Sequence, residues 1–447
     1  MTNSSSKMMF RCFILFTSLE LALRLCFLLP GVEVEAMTNP SSPSQRITSR
    51  HGNKLLIIGL GRVGMQVADL AKEKEDIQVF GTVRQSLTRG GNMANYNGNE
   101  IVRVPFDPVA VRENLFGCED DQRIAKCSNK ATSHVLFTIP LSREVDPLME
   151  AVLKELREWW ETEEDGNDSA TKKMSDKHCH SKVLGILSTT GVYGNHDGKV
   201  VTENSQLLCE ETSNAELYRR FEEDWISMSV GSVVKDGDEM VRNYGDSSRK
   251  RRLRIFRCAG IYDSSRSALH TVYKNLESAT PASPSRSLKS SIPTTGNKTN
   301  RIHCIDLARG VLSGMFEGAN YKDSKLEYSG VRIYNLADNL PESRSIVLSY
   351  AQELLASIGI DQYAFKDENE TSEMTKITKP PGKSDVIVSS RSSITRQKRR
   401  ERESKLVCNR RMREELFPCD GLLFPTYREG LDAIFNDPIT PWQQRQL

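Results

Sequence analysis

A glycine-rich turn between an apolar segment and an amphipathic segment is the feature that most restricts how this chain folds. Residues 54–71 read KLLIIGLGRVGMQVADLA, with glycines at the spacing G-x-G-x-x-G. Gly59 permits a tight turn, Gly61 lets the backbone approach a pyrophosphate, and Gly64 lets the helix pack closely on the strand. The N-terminus of that helix then faces the negative charge of the phosphates. The segment therefore predicts a dinucleotide-binding strand, turn and helix.

Beyond this unit, short β-branched apolar runs alternate with longer helical stretches. The predicted strands are residues 54–59, 77–83, 101–104, 134–139, 183–188 and 253–259, and the predicted helices include 62–74 and 145–160. With 447 residues, 38% of them hydrophobic, the chain is long enough to bury a sizeable core. This alternation is typical of a parallel sheet covered by helices. We therefore expect an α/β fold with a doubly wound parallel Rossmann sheet and a smaller C-terminal α/β substrate lobe.

The same patterns divide the chain into two folded regions. Residues 54–260 are predicted to form the NAD(P)-binding Rossmann domain, and residues 261–440 the smaller substrate lobe. Polar stretches that are poor in apolar residues interrupt both regions. We interpret them as surface insertions, at residues 161–181, 231–252, 278–299 and 366–404.

Residues 8–32 form the only long apolar stretch of the chain. Glu20 and Arg24 lie within it, and a charge at the centre of a bilayer costs about 2.5–3.5 kcal/mol on the insertion scale. We therefore expect no stable membrane span in the mature chain.

The apolar stretch instead resembles a leader. Val34 and Ala36 provide the small residues of a cleavage site, so residues 1–36 are expected to be a cleavable signal or transit peptide for a secretory or organelle route, plastid-like in character. Residues 37–53 are a Ser/Pro-rich spacer that is expected to be disordered. Two alternatives stay open: an uncleaved anchor, and translation from Met37, which favours a cytoplasmic protein.

Charge and cysteine content exclude several classes of protein. The 61 Lys and Arg residues nearly balance the 59 Asp and Glu residues, giving a formal charge of +2, so a main role in nucleic-acid binding is not expected. The ten cysteines include no C-x-x-C pair, which argues against a disulfide scaffold or a zinc ribbon. His178, Cys179 and His180 have metal-ligand side chains but lack partners at metal spacing, so we expect no metal. The partner that we expect is a small-molecule substrate. The sequence leaves the oligomeric state open.

The second predicted strand indicates which dinucleotide is bound. Arg84 lies 20 residues after Gly64, where NAD-binding proteins usually have an acidic residue for the ribose hydroxyls. A guanidinium can form a forked hydrogen bond to a 2′-phosphate, so NADP is favoured and NAD is the alternative. Arg62 and Val63 of the loop belong to the same cofactor site. Asp107, after the third strand, is either a contact to the adenine amine or a helix cap.

Several motifs now identify a resemblance. In order, they are GLGRVG at 59–64, GTVR at 81–84, TIP at 138–140, STTGVYGNHDGKVVTE at 188–203, RCAGIYDSSRS at 257–267, NRIHCIDLARGV at 300–311, IYNLADNLPES at 333–343, CNRRMREEL at 408–416 and FPTYREGL at 424–431. Together they resemble the atypical extended short-chain dehydrogenase/reductases of the NAD-dependent epimerase/dehydratase superfamily, most closely the YeeZ-like branch. The resemblance covers about residues 54–440 apart from the insertions.

The resemblance implies roles for residues near the carboxyl ends of two strands. Residues 138–140, ending in Pro140, match the loop that passes under the nicotinamide ribose. Ser188 and Thr189 match the position of the hydroxyl that hydrogen-bonds a substrate oxygen, although a turn or helix cap is the alternative for Ser188. Tyr193 matches the tyrosine that lines the active-site cleft.

One departure from the family matters for catalysis. In the superfamily that this chain resembles, a Tyr-x-x-x-Lys pair transfers the proton. No tyrosine among residues 193–273 of this chain has Lys four positions on. Arg219 and Glu223 lie where the pair is expected, either as a surface ion pair or with Arg219 binding cofactor or an anionic substrate. That leaves Tyr193 or Tyr218 as the phenol nearest the cleft, with Tyr193 favoured as the acid/base.

The sequence thus favours an NAD(P)-dependent oxidoreductase or epimerase that acts on a carbonyl or hydroxyl carbon of an aldehyde or sugar-like compound. Among the arginines, Arg257, Arg266 and Arg301 are candidates for holding a phosphate or carboxylate of the substrate. The alternative is a non-catalytic NADP(H)-binding sensor or scaffold, which the missing Tyr-x-x-x-Lys pair keeps open.

Overall fold

The computed structural model describes most of the chain between residues 53 and 445. The described ranges are 53–74, 76–84, 101–117, 132–144, 146–162, 182–230, 251–277, 297–316, 330–360 and 404–445. The expected leader, the cluster at residues 178–180 and most of each expected insertion lie outside the described residues.

Seven parallel strands form the central sheet. They are β1 (Asn53–Ile58), β2 (Ile77–Val83), β3 (Val102–Pro105), β4 (His134–Phe137), β5 (Lys182–Thr189), β7 (Arg251–Cys258) and β11 (Val331–Leu336). Their order across the sheet is β11-β7-β5-β4-β1-β2-β3. The chain order reverses between β1 and β4, which is where dinucleotides bind in doubly wound sheets. The predicted Rossmann fold class is confirmed, and all six predicted strands belong to this sheet.

Helices cover both faces of the sheet, and others lie beside it. The described helices are α1 (Arg62–Lys72), α2 (Pro108–Phe116), α3 (Pro147–Glu161), α4 (Asn214–Val230), α5 (Ala268–Glu277), α6 (Cys304–Phe316), α7 (Arg344–Ser357), α8 (Arg410–Leu416), α9 (Tyr427–Phe435) and α10 (Pro441–Gln444). The predicted helices at 62–74 and 145–160 correspond to α1 and α3. Short strands complete the described elements: β6 (Val200–Val201), β8 (Gly260–Tyr262), β9 (Lys298–Thr299), β10 (Arg301–His303), β12 (Glu342–Ser343) and β13 (Leu406–Val407).

Alternate side chains of β1 enter two different cores. Leu55 and Ile57 pack with α1, α6 and α8 on one face, whereas Leu56 and Ile58 pack with α2, α3 and α4 on the other. All four are fully buried. Because successive strand residues point to opposite faces, an unbroken apolar run is what a strand covered on both sides requires.

A third core lies outside the sheet and joins α5, α7, α9 and Trp442. It contains only residues after 260. However, β11, α6 and α8 also follow residue 260 and pack into the main sheet. The packing therefore does not divide the chain once at residue 260, because β11, the last strand of the sheet in chain order, pairs with β7.

None of the helices in the described ranges has the length and apolar character that crossing a membrane requires.

Candidate functional site

The glycine turn after β1 lies at the carboxyl edge of the sheet, and each glycine has its own steric reason. Gly59 has a φ of +104°, and a Cβ there would lie 2.6 Å from Ile139 Cγ1. A Cβ on Gly64 would lie 2.3 Å from the Gly59 carbonyl oxygen, so only glycine lets α1 start this close to β1. At Gly61, by contrast, a Cβ would meet nothing within 4 Å. This open space at Gly61 is the approach that a pyrophosphate needs.

The neighbouring strands hold this turn in place. The Gly59 amide donates to Thr82 Oγ1 of β2 at 2.8 Å. From the other side, Thr138 Oγ1 donates to the carbonyls of Ile58 and Gly59, at 3.2 and 2.5 Å. Thr138 begins the segment that ends in exposed Pro140, so the expected cofactor loop contacts the glycine turn directly.

The first turn of α1 is suited to an anion. Gly61 caps the helix without any side-chain hydrogen bond, and the first turn contains no acidic residue. Free N–H groups at a helix N-terminus attract phosphate. Val63 is half-buried against the core beneath the turn, and Arg62 forms an ion pair with Asp263, with 3.1 Å between Nε and Oδ2. These residues fit a dinucleotide phosphate.

Arg84 directly follows β2, and it has a protein partner. Its guanidinium forms an ion pair with Asp146 and lies 5.6 Å from the centre of the Phe106 ring. The Arg84 side chain remains 65% exposed. A 2′-phosphate would therefore meet an accessible but already paired guanidinium.

Asp107 and Asp146 both cap helices. Asp107 accepts a hydrogen bond from the Ala110 amide at 3.0 Å and precedes Pro108, the first residue of α2. Of the two roles expected for Asp107, the structure thus contains the helix cap; the adenine contact stays a prediction.

Ser188 belongs to a buried polar network rather than to an open surface. It lies next to the last residue of β5, opposite Arg257 of β7, and its hydroxyl donates to the Glu222 carboxylate. Glu222 comes from α4 and forms an ion pair with Arg257, with 2.7 Å between Oε2 and Nη2. All three side chains are buried. This geometry therefore does not support the expectations that Ser188 contacts a substrate oxygen and that Arg257 holds a substrate anion, because both groups are engaged inside the protein.

Tyr193 lies in the same network and is fully buried. Its phenol donates to Asn335 Oδ1 at 2.7 Å and accepts from Arg257 Nη1 at 3.0 Å. Burial raises the pKa of Tyr193 above its usual range, against the opposing effect of Arg257. The Tyr193 phenol has no exposed surface and both of its partners are protein groups, so this geometry does not support the expectation that Tyr193 lines the cleft and serves as the acid/base.

Thr189 and Arg219 also have structural partners. Thr189 Oγ1 accepts from the Gly191 amide at 3.0 Å and caps a short 3₁₀ turn. Arg219 binds Glu216 through two hydrogen bonds of 2.6 Å and Glu223 through a third of 2.6 Å. The hydrogen bonds from Arg219 and Arg220 lower the pKa of Glu216 to about 2. Of the two roles expected for Arg219, the structure contains the ion pair.

Tyr218 is the tyrosine of α4, and its side chain keeps some exposure. It is half-buried, and its hydroxyl accepts a hydrogen bond of 3.3 Å from the Leu141 amide, the residue after Pro140. Burial raises the pKa of Tyr218, and the Leu141 N–H partly offsets this. Tyr218 thus contacts the loop expected beside the nicotinamide, and it shares a helix face with Glu222, four residues on.

Sequence reasoning did not identify Glu222 as the residue that fixes α4 to β7. A signal was present, because Glu222 lies between Phe221 and Trp225, both buried against the sheet. A carboxylate on the buried side of a helix needs a cation, and none of the residues close to it in sequence supplies one inside the core.

Arg301, another residue expected to hold the substrate, is also engaged within the protein. Arg301 donates to the carbonyls of Thr299 and Glu342, at 3.0 and 2.9 Å, rather than facing a cleft with Arg257. No group of three or more metal-binding side chains is found within the described ranges.

Comparison with known proteins adds structural neighbours. No family model and no curated protein matches this chain. A dTDP-glucose 4,6-dehydratase from Bacillus anthracis, solved with NAD, is 12% identical, with a TM-score of 0.50 over 88% of this chain and 97% of its own. A functionally unknown conserved protein from Silicibacter pomeroyi is 20% identical, with a TM-score of 0.48 over 87% of this chain and 100% of its own. UDP-glucuronic acid 4-epimerase from Bacillus cereus, also with NAD, is 12% identical, with a TM-score of 0.44 over 86% and 95%.

At these identities the similarity concerns the fold. In a doubly wound sheet a dinucleotide binds where the chain order reverses, and the open glycine turn of this chain follows β1 at that point.

Proposed function

We propose that this protein is an NADP(H)-dependent oxidoreductase or epimerase-like enzyme of the YeeZ-like branch, acting on a carbonyl or hydroxyl carbon of an aldehyde or sugar-like substrate. The observation that supports it is the glycine turn, which is closed to a side chain at Gly59 and Gly64 but open at Gly61.

The residues that would hold the cofactor surround this turn. The backbone of residues 59–64 would bind the pyrophosphate, and Arg84 the 2′-phosphate that distinguishes NADP from NAD. Residues 138–140 would bound the nicotinamide side. When bound, the cofactor supplies or accepts a hydride at the substrate carbon.

Tyr218 is our candidate for proton transfer. Its phenol is partly exposed, and it contacts Leu141, which follows Pro140. Like any phenol, Tyr218 is protonated at neutral pH and can donate a proton to a carbonyl oxygen during reduction, although burial raises its pKa and so makes it a weaker acid. The Glu222–Arg257 pair lies one turn along the same face and fixes the helix without touching the substrate.

The second candidate is a non-catalytic NADP(H) sensor or scaffold. It is favoured by the partners of Ser188, Tyr193 and Arg219, all of which are engaged in hydrogen bonds within the protein. Such a protein would use the glycine turn for binding and need no exposed acid.

Two measurements on the full chain separate these proposals. Fluorescence titration with NADPH and NADH tests binding, and NADPH consumption with a panel of aldehydes, ketones and nucleotide sugars tests turnover. Binding with turnover supports the enzyme. Binding without turnover on the whole panel supports the sensor, and no binding of either dinucleotide contradicts both.

A further inference from the structure

The ion pair between Arg84 and Asp146 crosses the mouth of the dinucleotide site. Arg84 follows β2 and Asp146 follows β4, and the sheet order puts β1 between these two strands. The glycine turn emerges from the carboxyl end of β1. The pair therefore joins the two sides of the crevice in which a dinucleotide lies in this fold.

The Asp146 carboxylate is held by its own helix. Its Oδ1 accepts hydrogen bonds from the amides of Leu148 and Met149, at 3.1 and 3.4 Å, while Oδ2 faces Arg84. A carboxylate with one oxygen fixed by a helix cap cannot move far when a ligand arrives. A 2′-phosphate that binds Arg84 would then share that guanidinium with a fixed anion.

We propose that Asp146 is a specificity residue that competes with the 2′-phosphate of NADP(H) for Arg84 and so limits the preference for NADP(H) over NAD(H). This proposal rests on the proposed dinucleotide site. NAD(H) carries hydroxyls at the same position and no extra charge, so the fixed carboxylate opposes only NADP(H). Asp146 is thus a selectivity residue that lies outside the glycine motif and 62 positions after Arg84 in the chain.

The expected change is moderate because Arg84 is well exposed, at 65%. Removing the charge of Asp146 should strengthen NADPH binding about three- to tenfold, as expected for one unit charge near a phosphate close to water. NADH binding should change less than about twofold, since the ribose hydroxyls carry no charge.

The test is a titration of the full chain with NADPH and NADH, followed by fluorescence, for Asp146→Asn. Asparagine caps helices about as well as aspartate, so the start of α3 is preserved, and the unfolding temperature checks this. Glu158→Gln is the matched control, because Glu158 lies on the same helix and pairs with Arg112 in another exposed ion pair. The combination Asp146→Asn with Arg84→Ala tests whether the effect acts through Arg84.

We expect tighter NADPH binding for Asp146→Asn, no change for Glu158→Gln, and a much smaller gain when Arg84 is also replaced. If Asp146→Asn binds NADPH equally well or more weakly while the wild type binds dinucleotide, the competition is overturned and the proposed function stands. Weaker binding would instead make Asp146 a residue that positions Arg84. If the wild type binds neither dinucleotide, the proposed function fails and this inference fails with it.

Discussion

Glu222 and Arg257 form an ion pair in the interior, with 2.7 Å between Oε2 and Nη2 and no more than 3% of either side chain exposed. The pair connects α4 to β7 and, through the Ser188 hydroxyl, to β5. It therefore fixes the helix that bears Tyr218 against the strands whose carboxyl ends border the site.

Breaking this pair should destabilise the fold. Glu222→Gln leaves the buried Arg257 guanidinium without a counter-charge, and we expect a loss of about 3–5 kcal/mol in the free energy of unfolding. Glu223→Gln on the exposed side of the same helix should cost less than about 1 kcal/mol. Urea unfolding measures both, and equal losses would contradict the structural role of the buried pair.

The two tyrosines should respond differently to loss of the hydroxyl. Tyr218→Phe removes the candidate proton donor and should lower kcat by about 10²–10⁴-fold with little change in NADPH affinity. Tyr193→Phe removes hydrogen bonds to Asn335 and Arg257 and should cost about 1–3 kcal/mol of stability while preserving most turnover. Turnover lost in Tyr193→Phe and kept in Tyr218→Phe, at equal cofactor affinity, would reverse this assignment.

Arg84 should determine the preference between the two dinucleotides. Arg84→Ala should weaken NADPH binding by about 1.5–3 kcal/mol, as for a charge-assisted hydrogen bond, and NADH binding much less. Calorimetric titration of both dinucleotides measures the ratio. Equal affinity of the wild type for NADPH and NADH would contradict this prediction.

Glu216 should make stability depend on acidity. Hydrogen bonds from Arg219 and Arg220 lower the pKa of Glu216 from 4.5 to about 2. The carboxylate therefore stabilises the fold fully above the unfolded value near 4.5, and this contribution is lost as the pH falls towards 2. The difference in urea midpoint between wild type and Glu216→Gln should accordingly be largest near pH 7 and shrink below pH 4.5. A difference that is constant from pH 7 to pH 3 would contradict the lowered pKa.

The sheet was predictable because its signals are local. Each buried strand appears as an apolar run, and the G-x-G-x-x-G spacing follows from contacts among Gly59, Gly64 and their immediate neighbours. Strand β11 was not predicted because only its last three residues are fully buried, so its apolar signal is weak.

The side-chain partners were less predictable, because they are distant in the sequence. Ser188 and Tyr193 were assigned to the cleft from their place at the carboxyl edge, but position along a strand does not fix which groups a side chain meets. Glu222 lies 34 residues after Ser188, and Asn335 lies 142 after Tyr193. Only the packed fold brings these groups together.

The central claim is that the glycine turn binds a dinucleotide, and Gly61 allows the most direct test. Gly61 has a φ of −75°, which any residue can adopt, and the space beside it is empty, so Gly61→Val should fold and lose no more than about 1 kcal/mol of stability as a poorer helix cap. We predict that the wild type binds NADPH, that Gly61→Ala binds it more weakly, and that Gly61→Val loses about tenfold or more because its side chain fills the space that the pyrophosphate needs. A folded Gly61→Val protein that binds NADPH as tightly as the wild type, or a wild type that binds no dinucleotide, would contradict the account.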